Sequence, residues 1–169
     1  MKKTQIPFDL EIVPAAIRPE KGACPMPTRE ELGQLYPVRI EPYDPAWPTL
    51  FEKEKQTLRH LLGPRLALRI EHIGSTSVPG LAAKPTVDLL VEIPKEPDCR
   101  DEIIRRMKGQ EYLPMAEQTA HIMFVRGYSP TGLDTESFHI HMGPADQDFL
   151  WDRVYFRDYL RASFRRQGI

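Results

Sequence analysis

The run Ile73-Gly74-Ser75-Thr76, followed by Lys84 and then by Thr86-Val87-Asp88-Leu89-Leu90-Val91, carries residue types suited to holding a phosphate. Glycine lets the backbone come close to an anion, while the Ser75 and Thr76 hydroxyls and N–H groups supply donors. Asp88 interrupts an otherwise apolar run, and an aspartate in that setting is rare unless it is paired or ligates something. The expectation is that it faces the phosphate through a metal. His139 and His141 alternate with Ile140, so in a strand both imidazoles lie on one face with Cα atoms about 6.6 Å apart. Asp88 with one or both histidines makes a mixed nitrogen and oxygen donor set, better suited to Zn, Mn, Fe or Ni than to Mg. The alternative is that the histidines hydrogen-bond Ser, Thr or Asp88 across the sheet and bind no metal. Lys84 either reaches a phosphate from the turn or is a solvated charge. Arg126 either clamps an anion with its planar fork or is an ordinary strand-end charge. His72, just before the turn, either holds it or serves as a general base.

These residues come together only if two strands flank the Gly-Ser turn and a third carries the histidines. Patterning predicts a short strand Val38–Ile40, then a helix capped by Asp44 with Pro45 at its first position. Trp47, Leu50, Phe51, Leu58, Leu61 and Leu62 fall on one face of that helix, which Gly63 and Pro64 end. Further strands are expected at Ala67–Ile73, Thr86–Ile93, Ile122–Val125 and Phe138–Met142, the last two joined by the turn formers Gly127–Thr135. Helices are expected at Asp101–Lys108 and Phe149–Phe164. The order is α, β, β, α, β, β, α, which reads as a mixed α+β fold, a small sheet flanked by helices. On the last helix Arg153, Arg157, Arg161 and Arg165 recur every four residues as one basic stripe. It either contacts phosphates of a nucleic acid or nucleotide or is a solvated face paired with Asp152 and Asp158.

Nine of the 17 prolines fall within the first 48 residues, so residues 1–37 are expected to form an extended N-terminal arm and 38–169 the compact domain. Ile6, Phe8, Leu10, Ile12 and Val13 in the arm either lie down as an edge strand or belong to a loose extension. A chain of 169 residues, 41% hydrophobic and 28% charged, supports one core. A net charge of −1 gives no overall field for nucleic acid or anionic lipid, leaving any such contact to a local patch. No apolar run approaches the ~18 residues of a membrane span. Cys24 and Cys99 are the only cysteines, which excludes a disulfide framework, and Met1–Leu10 lacks the form of a signal peptide. A cytoplasmic location is expected.

Several stretches together resemble one family. Glu71–Val91, Ile40-Glu41-Pro42-Tyr43-Asp44-Pro45-Ala46-Trp47, His139-Ile140-His141 and Phe156-Arg157-Asp158-Tyr159-Leu160-Arg161 look, in that order, like the GrpB family over Val38 to Ala162. The helical segment that follows in the family is almost absent before Ile169. The resemblance implies a nucleotidyltransferase fold of the polymerase-beta type, whose signature is Gly-Ser, a short spacer, and then Asp-x-Asp or Asp-x-Glu. Twelve residues separate Ser75 from Asp88, but the second carboxylate position holds Leu90. Glu92 lies about 13 Å along the strand, too far to share an ion with Asp88. The paired-histidine strand is the candidate to fill the place of the superfamily's third carboxylate.

The resemblance therefore implies a nucleotide or phosphorylated small molecule as partner, a divalent metal (Mg, Mn or Zn), and nucleotidyl transfer as the sharpest activity. Gly74, Ser75 and Thr76 would hold the phosphates and Asp88 the metal, with His139 or His141 completing its shell or acting as base. Lys84 or Arg126 would neutralise charge. The alternatives are a non-catalytic accessory module for a nucleotide or CoA-pathway ligand, which Leu90 favours, and a metal-dependent phosphoester hydrolase.

Overall fold

The computed structural model describes residues 36–118, 120–129 and 132–166 together with Gln34. Most of the expected N-terminal arm, with its Ile6–Val13 patch, lies outside the described residues.

The first helix, α1 (Trp47–Leu62), buries Trp47, Phe51, Leu58 and Leu62 on one face, as the apolar spacing demands. It starts later than expected. Asp44 does not cap it; its Oδ1 accepts the Ala46 N–H at 2.8 Å in the preceding turn, and Pro48 occupies the first helical turn. Gly63, at φ 72°, closes it by donating its N–H to the Arg59 carbonyl. Next come β1 (Arg69–Ile73) and β2 (Thr86–Glu92), then α2 (Pro97–Lys108), β3 (Leu113–Gln118), β4 (His121–Ser129), β5 (Gly132–Gly143) and α3 (Asp148–Arg166). The helix α2 opens at Pro97, four residues before the expected Asp101, because proline is tolerated in a first turn and Asp98 adds a favourable charge there.

Two further expectations change. Residues 38–40 form no strand: Val38 and Ile40 are 76% and 66% exposed, and the backbone pairs only from Glu41, which exchanges hydrogen bonds with Ala83, both 2.9 Å. The strand β3 is additional. Pro114 and the polar end Glu117-Gln118 hide its pattern, but an edge strand tolerates proline, and the pairing shifts between Pro114 and Ala116. Arg100 of α2 ties this edge down through the Glu117 and Gln118 carbonyls at 2.7 and 3.0 Å.

The sheet order is β1-β2-β5-β4-β3, with β2 and β5 parallel and every other pair antiparallel. Alternation along the strands sorts the side chains. Val87, Leu89, Val91, Phe124 and Ile140 join α1 and α2 in the main core on one face. On the other, Leu90 and Ile73 pack beneath Leu150 and Trp151 of α3. This second cluster is small, so α3 covers only part of that face. Asp88, His139 and His141 lie on the same face, and Asp88 and His141 line the cleft that α3 leaves. No helix among the described residues is long and apolar enough to cross a membrane.

Candidate functional site

The turn after β1 is built by Gly74 at φ 71°, which leads into one short helical turn, Ser75–Ser77. Ser77 Oγ donates to the Gly74 carbonyl at 2.5 Å. Thr76 is fully buried, and its hydroxyl donates inward to the Thr86 carbonyl at 3.3 Å while meeting His72 Nε2 at 3.2 Å. Thr76 is thus spent on the turn and does not face a ligand as expected. Ser75 is exposed and lines the cleft with Gly74. His72 stacks on Phe51 at 4.7 Å, and burial, then the Arg161 and Arg157 charges, push it down to about 3. A neutral, enclosed imidazole holds the turn, which is the structural alternative to a general base.

Asp88 and His139 are directly opposed across the parallel β2–β5 pair. His139 Nδ1 lies 3.0 Å from Asp88 Oδ1, and its Nε2 lies 2.7 Å from the Tyr128 hydroxyl. Burial raises Tyr128 to about 12, so the phenol keeps its proton and donates to Nε2, which leaves Nδ1–H to donate to Asp88. Lys84 Nζ donates to the Tyr128 hydroxyl at 3.4 Å. Burial lowers Lys84, with Asp88 opposing the shift. Lys84 therefore belongs to the site through Tyr128.

Tyr128 was not among the residues anticipated. By strict alternation it would share a face with Arg126, but Gly127 at φ 77° and a register shift between Arg126 and Tyr128 turn the strand over. A lone glycine inside a strand was the signal. Arg126 precedes the bulge and keeps the face of Ile122 and Phe124, away from the site, and this corrects its expected role. Arg126 lies on the far face, where it donates to the buried Glu54 carboxylate at 2.7 Å beside Tyr112, whose hydroxyl donates to the same carboxylate at 2.6 Å. Replacing Tyr128 with Phe removes one donor from a half-buried histidine and is expected to cost about 1–2 kcal/mol, read as a lower urea midpoint at unchanged slope.

Three of the four arginines of the stripe on α3, Arg153, Arg157 and Arg161, face inward, and Arg165 is exposed. Arg157 donates to Glu71 at 2.8 Å, to the His72 carbonyl at 2.9 Å and to Asp158 at 2.8 Å. Arg161 donates twice to the Ser77 carbonyl, at 2.9 and 2.8 Å. These two residues clamp β1 and the Gly-Ser turn, and so are not free to meet nucleic acid. Arg153, one turn earlier, makes no hydrogen bond or ion pair among the described residues. It lines a cleft of about 550 Å³ with Gly74, Ser75, Asp88, His141 and Phe156. Burial lowers Arg153, and the attraction of Asp88, which lines the same cleft, opposes the shift. His141 Nδ1 meets His121 Nε2 at 3.1 Å. Burial first, then Arg153 and the neighbouring imidazoles, push His141 down to about 2.

The Asp88, His139 and His141 metal set expected from the sequence does not fit this geometry. His139 has both ring nitrogens engaged by protein groups. Leu90, where a second carboxylate would sit, is 0% exposed among Ile73, Leu150 and Trp151. Among the described residues no three His, Cys, Asp or Glu side chains converge as metal ligands. His139 hydrogen-bonds Asp88 across the sheet, while His141 meets His121.

In the site a Gly-Ser turn joins two antiparallel strands, and the aspartate of the second strand closes on it within a mixed α+β sheet. The family model described as GrpB protein matches residues 37–167, and the chain belongs to the GrpB family. YqkA of Bacillus subtilis (strain 168) is 35% identical over 131 residues, 76% of this chain and 37% of YqkA. BH1888 of Halalkalibacterium halodurans is 35% identical over 153 residues, covering 80% of this chain and 71% of its own. The chain thus spans little more than a third of the length of YqkA. The crystal structure of the conserved protein GrpB from Enterococcus faecalis matches with a TM-score of 0.63 at 33% identity, over 73% of each chain.

Proposed function

We propose that this domain binds a nucleotide or another phosphorylated small molecule in the cleft between the Gly-Ser turn and α3. The observation that carries the reading is Arg153: a half-buried guanidinium inside the cleft, beside Ser75 and Gly74, with no counter-ion within ion-pair distance among the described residues. A charge held partly out of water favours an anionic partner, and the guanidinium fork matches phosphate oxygens. The exposed Ser75 hydroxyl adds a donor, Asp88 accepts a ligand hydroxyl, and the exposed Phe156 ring supplies an apolar platform at the rim. Leu90 favours binding over nucleotidyl transfer, since an apolar residue cannot hold a second ion. The CoA-pathway ligand remains one member of this chemical class.

Calorimetric titration with nucleoside mono-, di- and triphosphates and with dephospho-CoA tests the reading. At least one is expected to bind, and Arg153→Met is expected to weaken it by tenfold or more while leaving the melting temperature within a few degrees. If no phosphorylated compound binds at millimolar concentration, the reading fails.

A further inference from the structure

We infer that the cleft captures its phosphorylated ligand without a divalent metal, the Arg153 guanidinium supplying the positive charge beside Asp88. The inference rests on the ligand reading above and specifies how that site neutralises phosphate.

Three observations carry it. First, the carboxylate pair that would share an ion does not exist: Leu90 is sealed in the apolar cluster under Trp151, and Glu92 is turned to the β1 edge, where it pairs with Arg69 at 3.2 Å. Second, several of the remaining donor atoms are already engaged by protein groups. Asp88 Oδ1 accepts from His139 Nδ1, and His139 Nε2 accepts from Tyr128. His141 and His121 are bonded to each other through Nδ1 and Nε2 at 3.1 Å. Third, the place is electrostatically occupied. Arg153 lines the cleft together with Asp88 and His141, so it stands among the side chains that a cation would need. A divalent ion entering there would face a fixed like charge, whereas a phosphate would meet a preorganised opposite one. Asp88, held on one side by His139, is then left as a positioned acceptor for a ligand hydroxyl.

The test compares ATP and inorganic pyrophosphate binding to the unmodified chain in EDTA and in excess MgCl2 or MnCl2, with Mn2+ alone titrated by electron paramagnetic resonance. Affinity in EDTA is expected to equal or exceed that with metal. Arg153→Lys and Arg153→Met are expected to lose tenfold or more in both buffers, and no Mn2+ site should disappear in Asp88→Asn. Binding that requires metal, or an Mn2+ site lost in Asp88→Asn, overturns this inference and leaves the ligand reading standing. Binding of neither probe in either buffer, with no other phosphorylated compound bound, overturns both.

Discussion

Lowering the pH below about 6.5 is expected to destabilise this domain steeply, by roughly 2.7 kcal/mol per pH unit once the unfolded histidines are charged. The cause is two enclosed imidazoles. His72 is pushed down to about 3 and His141 to about 2, burial being the main cause for each, from an ordinary value of 6.5. In the unfolded chain both take up a proton near that ordinary value, whereas in the folded chain they do so only far below it. Between these limits the unfolded state binds more protons, so stability is complete above pH 6.5 and drains away as pH falls towards 3. Each site contributes about 1.4 kcal/mol per pH unit in that window. Denaturant midpoints measured from about pH 7.5 to 4.5 will show the slope. His72→Gln should remove about half of it, whatever that variant does to stability at neutral pH. An unchanged slope in both His72→Gln and His141→Gln would assign the acid sensitivity to the carboxylates instead.

Gly74→Ala is expected to damage fold and ligand binding together. A Cβ there would overlap Asp88 Oδ2, and φ of 71° is a backbone region that side-chain-bearing residues rarely adopt. Backbone strain of this kind costs about 1–3 kcal/mol. Asp88 must also move, which breaks its 3.0 Å bond to His139 and leaves a half-buried carboxylate poorly matched. The total is expected at about 2–4 kcal/mol, with phosphorylated-ligand affinity down by at least tenfold. Gly63→Ala is the control. Gly63 has a similar φ of 72°, but a Cβ there meets nothing within 4 Å, so about 1 kcal/mol of strain and unchanged binding are expected. If Gly74→Ala retained full affinity, the turn would not be the ligand site.

Much of this architecture is legible in the residues, and the failures have physical causes. The apolar face of α1, the two strands around the Gly-Ser turn and the shared face of His139 and His141 follow from periods of 3.6 and 2. The strand β3 escaped because its proline and polar end are tolerated only at a sheet edge, and edges are a property of the assembled sheet. Tyr128 escaped for a different reason: Gly127 reverses the strand's alternation, so counting by twos puts Tyr128 on the far face beside Arg126. The arginine period on α3 was plain, but not its target. Two of those charges are drawn inward by carbonyls at His72 of β1 and Ser77 of the turn, 80 or more residues away. The candidate metal donors were read from residue type and strand alternation, neither of which shows the long-range hydrogen bonds that link Asp88 to His139 and His141 to His121.

The parallel pairing of β2 with β5 has a consequence for when the site comes into being. Asp88 and His139 are 51 residues apart, and the whole α2-β3-β4 excursion must be threaded between them before they meet. Closing so long a loop is a slow, entropy-limited event, and a parallel pair forms no tight hairpin to speed it. The aspartate is thus laid down early on the ribosome's output and waits, incomplete, for the histidine strand. Completion of this side-chain arrangement is for that reason tied to the docking of the last strand, and a chain halted midway would carry the turn without its partner.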